Sequence, residues 1–360
     1  MAGHRAGEVI VAHRTEDPMR VDEPRSRDRK AREAAEAATL AAGATRANAA
    51  GNRERPEQPD PERTCFERDR DRIVHSTAWR RLAGKTQVFV FPADHQRTRL
   101  THALEVAQVA TSVARATGLN VALTEAIALG HDCGHGPGGH ASEEAFDAYL
   151  PEGFDHAVWG AVVLAPLNLC LETLDGVRNH SWSRPAPSTP EGEVVSWADR
   201  CAYSAHDLED AVEAGIVTAT DLPASVHRVC GSTRSRQLAT FIAALTECIR
   251  DTGVIGMRPD AAEALAALRG FNYERIYSRP ESLQQGRSVV AVLQALVEHY
   301  AARPQARPEP PAAGPDTAES LRAAVGYVAG MTDRFAFDAA RRLLGWDPAA
   351  LPRGIDTPPA

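Results

Sequence analysis

The 360-residue sequence holds six cysteines (Cys65, Cys133, Cys170, Cys201, Cys230, Cys248) and no CxxC pair among them, which excludes a zinc ribbon or a redox dithiol and leaves six free, mostly buried thiols as the expectation. No apolar run approaches the roughly 18 residues of a membrane span. No GxxxxGK[ST] phosphate loop occurs: Gly84-Lys85-Thr86 has its last three letters, without the earlier glycine or the helical pattern that should follow. Aromatic residues are only 6 %, and Trp79, Trp159 and Trp182 have no spacing suited to a base-stacking platform. Positive charge is also short, with 40 Lys+Arg against 48 Asp+Glu, a net charge of −8. A protein that coats nucleic acid through bulk charge is thereby excluded, while a local basic patch stays open. His4, Arg5, Glu8, His13 and Arg14 interrupt any leader-like apolar stretch, so a cytoplasmic location is expected.

What is present is an ordinary globular mixture, 43 % hydrophobic and 24 % charged. Residues 1–62 are poor in large apolar side chains and close on Pro56, Pro59 and Pro61, which predicts a disordered or loosely docked tail. Within it the Ala-rich stretch Ala31–Ala50 has some helical character. From Arg99 to Thr117, Leu100, Ala103, Leu104, Ala107, Ala110 and Ala114 recur at spacings of three and four, the stripe of a buried helix that Gly118 ends. A second helix from Val121 meets Gly134, Gly136, Pro137, Gly138 and Gly139, which force a tight turn. Further helices are expected from Ser142, over Asp155–Leu174, over Glu193–Ala214, through 232–300 and, as a terminal pair, over Ala318–Trp346, with Pro/Ala loops at 181–190 and 301–316. The single plausible strand pair lies around Gln87–Phe91. The expected fold is therefore all-α with at most a short β-hairpin. It divides into the tail, a catalytic core over 63–230 and a C-terminal helical region over 231–360.

Six of the 13 histidines fall between His95 and His156. His102, the adjacent pair His131-Asp132 and Asp199 offer imidazole nitrogen and carboxylate oxygen, a donor set for a divalent first-row metal. His135, His140 and Glu143 follow within the glycine turn, which lets backbone wrap round a small site. Asp199, Tyr203 and Asp207 are spaced by four and share one helix face. Arg99, Arg200 and, more weakly, Lys85 are candidates for phosphate charge, since a guanidinium meets phosphate through two parallel hydrogen bonds.

Four ordered segments carry a resemblance: DRDRIVHSTAWRRLAGKTQVF at 69–89, RTRLTHALEVAQVA at 97–110, HDCGHGPGGHASEEA at 131–145 and WADRCAYSAHDLEDA at 197–211, with GYVAGMTDRFA at 326–336 in support. The region they mark out, counting the weaker C-terminal part, is about two-thirds of the chain, and it resembles the HD-domain deoxynucleoside triphosphate triphosphohydrolases, the bacterial dGTPase-like family. The resemblance implies an HD-domain helical fold and a reaction in which water attacks the α-phosphorus of a dNTP, releasing deoxynucleoside and tripolyphosphate. It implies His102, His131, Asp132 and Asp199 as ligands of one divalent ion (manganese, magnesium or iron), and His135, His140 and Glu143 as the acid/base and phosphate-contacting group. Tyr203 and Asp207 would hold the sugar 3′-hydroxyl.

The chain departs from the bacterial pattern at Phe154–Gly160, which reads FDHAVWG. His156 there is similar to the general-acid histidine of the vertebrate SAM-and-HD-domain dNTP hydrolase, which adds it to the catalytic set and weakens an expectation of strict dGTP preference. The resemblance further implies a homo-oligomer, hexamers among the forms; separately, the Arg-rich stretch 63–81, interrupted by Asp69 and Asp71, leaves single-stranded DNA as a minor partner class, and the short apolar runs imply no membrane. Two other readings stay open: an HD-domain nucleotide phosphatase or phosphodiesterase, and a non-catalytic HD regulator that binds nucleotide or single-stranded DNA.

Overall fold

A computed structural model describes residues 3–92, 95–309 and 313–353. A small antiparallel hairpin, β1 (His4–Ala6) and β2 (Val9–Val11), precedes fifteen α-helices, and these two strands make the only sheet among the described residues. The helices are α1 (Arg29–Thr39), α2 (Cys65–His75), α3 (Thr77–Arg81), α4 (Arg99–Thr117), α5 (Val121–Gly130), α6 (Ala141–Asp147), α7 (His156–Leu164), α8 (Leu171–Asn179) and α9 (Pro190–Glu213). They continue with α10 (Ala224–Cys230), α11 (Arg234–Thr252), α12 (Pro259–Asn272), α13 (Pro280–Ala302), α14 (Ala318–Ala329) and α15 (Asp333–Leu344). The chain is all-α, as its periodicity requires.

Local chemistry accounts for the boundaries that position the site. Gly118 ends α4 in the left-handed region (φ 72°), and Asn120 then caps α5 by accepting from the backbone N–H groups of Ala122 and Leu123. Asp155 caps α7 in the same way, and Thr189 with Pro190 opens α9. The single helix expected over 155–174 is two helices, because Pro166 and the left-handed Asn168 (φ 54°) interrupt it. The strand pair expected at Gln87–Phe91 does not form. Phe89 is buried instead, Phe91 takes a positive φ (52°) and meets the Phe337 ring edge-on at 5.2 Å, and pairing is confined to an isolated bridge between Thr86 and Thr98. Residues 310–312 of the expected loop at 301–316 lie outside the described residues.

Two apolar cores form. One joins α2, α4, α5, α8 and α9 to α10, α11 and α12 through residues such as Ile73, Val106, Ile127, Val195, Phe241 and Leu268. The other gathers Phe146 and Phe154 under α13, α14 and α15. Packing thus runs without a break through residue 230, and the C-terminal region contributes to both cores.

The stretch expected to be a loose tail is docked from α1 onward, by polar contacts that hydrophobic composition does not register. The Glu191 carboxylate accepts from the backbone N–H and hydroxyl of Thr45 and from the backbone N–H of Asn120. Arg53 is buried and donates to Asp69 Oδ1 at 2.6 Å, while Asp69 Oδ2 accepts from the Cys170 N–H (2.8 Å) and the Thr173 hydroxyl (2.7 Å). Arg53→Ala leaves Asp69 a buried, unpaired charge, and chemical denaturation should read a loss of about 3–5 kcal/mol. An unchanged midpoint would mean that the segment is only loosely attached.

Candidate active site

Five helix ends and one helix face supply the site. Arg99 and His102 lie three residues apart on the buried side of α4. His131 caps the end of α5, and Asp132 follows it into the glycine turn. That turn admits no side chain at Gly134, where a Cβ would sit 2.0 Å from the His156 carbonyl oxygen and 2.3 Å from the Gly160 nitrogen. Gly138 and Gly139 both need positive φ (72° and 64°). The turn brings α7 close enough for His156 to face Asp132 and His135.

His102, His131, Asp132 and Asp199 converge. His102 Nε2 lies 3.0 Å from Asp199 Oδ1 and 3.9 Å from Asp132 Oδ2; His131 Nε2 lies 3.6 Å from Asp132 Oδ1 and 3.7 Å from Asp199 Oδ1. His131 Nδ1 is 2.6 Å from the Ala128 carbonyl oxygen and donates to it, while its Nε2 is buried and has no hydrogen-bond partner. A buried, unpartnered imidazole nitrogen facing two carboxylates and a second imidazole is a donor set that suits a divalent cation.

Asp132 is the electrostatic hub. Its carboxylate is fully buried, which by itself would raise its pKa, yet Arg99 (2.8 Å), His131 and His135 (3.2 Å) hold it well below the ordinary range. Burial opposes ionisation of Asp199 too, and His102 outweighs it to keep Asp199 an anion. Glu143 behaves likewise: burial is overcome by hydrogen bonds from His140 Nδ1 (3.0 Å) and His156 Nδ1 (2.6 Å). Burial would discharge His156, but the Glu143 contact raises its pKa above the usual imidazole value. His135 stacks flat on His156, with 3.8 Å between centroids, and burial depresses its own pKa. His140 is exposed, at the mouth of the site.

His102, Asp132, His135, His140, His156 and Asp199 line a cavity of about 1160 Å³, which Arg99, Arg200, Tyr203 and Asp207 share. Arg200 lies over the Trp182 ring, 3.4 Å from its centroid. The Tyr203 hydroxyl accepts from Arg269 Nε (2.9 Å), and the Tyr277 hydroxyl donates to Asp207 Oδ2. Burial pushes the Asp207 carboxyl up to about 7. Lys85 does not join them. It is buried, lies outside the cavity lining, and donates to the backbone carbonyls of His135 and Ala329, holding the glycine turn from behind; burial brings its ammonium down to about 8. Asp333, at the start of α15, holds the same turn by accepting from the N–H groups of Gly138 (2.9 Å) and Thr86 (3.0 Å). Asp333→Ala strands those donors, and the expected result is a stability loss of about 1–3 kcal/mol by denaturant titration, together with reduced turnover although no cavity side chain has changed.

Sequence reasoning missed His180, Trp182, Arg269 and Tyr277. His180 caps the end of α8, is buried, and lies with its ring 4.9 Å from His131 and its Nε2 3.3 Å from His156 Nε2. It stands alone in sequence, outside the histidine-rich stretch, and its one local signal is its position directly after a helix. Tyr277 sits in a π-helical turn (Tyr273–Tyr277) that continues α12, an irregularity periodicity does not anticipate.

Comparison with known proteins finds two domains and a set of relatives. The HD domain matches residues 99–204, and the phosphohydrolase-associated domain matches 255–342. A deoxyguanosinetriphosphate triphosphohydrolase-like protein of Caldanaerobacter subterraneus subsp. tengcongensis is 38 % identical over 301 residues, 81 % of this chain and 88 % of that relative. Proteins of the same description from Clostridium perfringens (38 % over 303 residues; 79 % of this chain, 87 % of the relative) and Desulfatibacillum aliphaticivorans (39 % over 313 residues; 79 % and 88 %) are similar. A solved structure of a hypothetical protein from Aquifex aeolicus overlaps with a TM-score of 0.47 at 17 % identity, over 77 % of this chain and 71 % of that one. Among the described residues no helix is long and apolar enough to cross a membrane. With two domain matches in order and relatives aligned along most of their length, the chain belongs to the deoxyguanosinetriphosphate triphosphohydrolase-like family of HD-domain hydrolases.

Proposed function

We propose that this chain hydrolyses deoxynucleoside triphosphates, dGTP or several dNTPs, to deoxynucleoside and tripolyphosphate with the help of one divalent ion. The observation that carries this reading is the meeting of His102, His131, Asp132 and Asp199 beside a cavity that Arg99, Arg200, Tyr203 and Asp207 help to line. Those four residues would hold the ion (manganese, magnesium or iron), which when bound supplies Lewis-acid polarisation of the phosphoryl group under attack.

The remaining work falls to the chain's own side chains. Arg99 and Arg200 offer guanidinium groups to the phosphate oxygens, and Trp182 holds Arg200 in place from its far side. Tyr203 and Asp207, one turn apart on α9, offer a phenol and a carboxylate to the sugar hydroxyl. Glu143 grips His156 through Nδ1, leaving the Nε2 side to deliver a proton to the departing 5′-oxygen. His135, packed flat on His156, fixes that ring's plane, and His140 at the mouth faces incoming phosphate.

The test is product analysis with purified protein, dNTPs and Mn²⁺ or Mg²⁺. Nucleoside and tripolyphosphate in equal amounts are expected. Deoxynucleoside monophosphate with pyrophosphate, or stepwise release of orthophosphate, would replace this reaction with the phosphodiesterase or phosphatase reading.

A further inference from the structure

Past α15 the chain turns back over the molecule. Gly345 stops the helix in the left-handed region (φ 68°), and Asp347 caps a single 3₁₀ turn (Pro348–Ala350) by accepting from the Ala349 N–H at 2.9 Å. Trp346 and Leu351 pack against the second apolar core, Pro352 is buried and Arg353 is half-buried. Residues 346–353 are thereby laid across α13. There the Gln285 side chain holds the Arg353 backbone in both directions: Gln285 Nε2 donates to the Arg353 carbonyl oxygen at 2.7 Å, and the Arg353 N–H donates to Gln285 Oε1 at 3.0 Å. A side-chain amide offers a donor and an acceptor side by side, so it can fix one residue as a neighbouring strand would. The residue it fixes lines the active-site cavity, beside Gln285 itself and Gly286.

Two observations give Arg353 a task. Its guanidinium has neither an ion pair nor a hydrogen bond among the described residues, whereas Arg99 is paired with Asp132 and Arg269 donates to Tyr203. A half-buried cation left without a partner in a cavity wall is matched by an anionic ligand, and best by phosphate. The second observation is position. Gln285 stands one helical turn, about 6 Å, before Val289 on α13. Val289 packs on the glycine turn, where a Cβ at Gly138 would sit 2.4 Å from Val289 Cγ1. Arg353 is therefore anchored on the side of the cavity where the turn presents His135 and His140, the groups read above as facing phosphate. It lies beyond both domain matches, which end at residues 204 and 342.

We propose that Arg353 is a substrate-binding residue whose guanidinium meets the triphosphate tail, and that Gln285 is the positioning residue that holds it there. The proposal rests on the reading of a triphosphate substrate and makes the last described residues of the chain part of the binding site.

The experiment compares the full-length wild type with Arg353→Ala, Arg353→Lys and Gln285→Ala, with circular dichroism to check folding. Calorimetry in Mg²⁺ buffer reads the binding of inorganic tripolyphosphate and, separately, of deoxyguanosine; steady-state assays read KM and kcat for dNTPs. Arg353→Ala should weaken tripolyphosphate binding and raise KM by roughly 10–100-fold, with kcat nearly kept and deoxyguanosine binding unmoved. Arg353→Lys should recover part of that loss, since it keeps the charge without the planar fork. Gln285→Ala should shift the same two quantities in the same direction, by less. Unchanged tripolyphosphate affinity in Arg353→Ala overturns the proposal. So does tighter binding, which would make the segment an obstruction, or a loss confined to deoxyguanosine, which would move Arg353 to the base. A loss in Arg353→Ala that Gln285→Ala does not share keeps the contact and removes the positioning role. Arg353→Gln takes the place of Arg353→Ala if that variant does not fold. If no dNTP is hydrolysed under any condition, the calorimetry alone still decides whether Arg353 binds the polyphosphate.

Discussion

Asp132→Asn is expected to reduce hydrolysis by on the order of 10³-fold or more, the scale of losing a direct electrostatic contribution to the reacting centre. The substitution barely alters shape. It removes the charge that Arg99 and His135 both contact and that faces Nε2 of His131. Divalent-ion binding should weaken in parallel, which calorimetry with Mn²⁺ reads without any substrate present. A variant that keeps both its affinity for the ion and its turnover would show that the four converging side chains do not form the working centre.

The second large effect belongs to His156. His156→Gln should lower kcat by roughly 10²–10⁴-fold with little change in KM, as expected for loss of a positioned proton donor. The sign of its pH dependence follows from Glu143. Because the carboxylate beside Nδ1 raises the imidazole's pKa, the ring stays protonated past the ordinary histidine value, and wild-type kcat should fall only as pH climbs above that value. Glu143→Gln removes the support, and the falling limb should move to lower pH. A limb unmoved in Glu143→Gln would place the proton donor elsewhere.

Much of this site was legible in the sequence because its chemistry is concentrated. His131 and Asp132 are adjacent, the glycine turn marks itself by composition, and the four-residue spacing of Asp199, Tyr203 and Asp207 needs only helical geometry to put them on one face. His180 was hidden for the opposite reason: it is brought to the centre by the packing of α8 against α5 and α9, and nothing in its neighbours announces that packing. Lys85 misled because a lysine beside a glycine resembles a phosphate contact, whereas its burial turns the ammonium toward backbone carbonyls. The docking of residues 28–62 was invisible to hydrophobic periodicity since it runs through Arg53, Asp69 and Glu191, whose pairing only three-dimensional proximity reveals. Likewise Val88–Phe91 has the composition of a strand, but rings that find apolar partners of their own have no need of a ladder.

The two props under the glycine turn have a consequence for how this enzyme could be shortened. Lys85 reaches the carbonyl of Ala329, and Asp333 reaches the amides of Thr86 and Gly138. A chain cut between Tyr300 and Ala329 would retain every histidine and carboxylate of the proposed centre, and Lys85 itself, yet lose the Ala329 carbonyl that anchors Lys85 and the Asp333 carboxylate that holds the turn. The last helices therefore scaffold a candidate site whose glycine turn lies 195 residues upstream of Asp333, and a fragment meant to keep that site has to carry them.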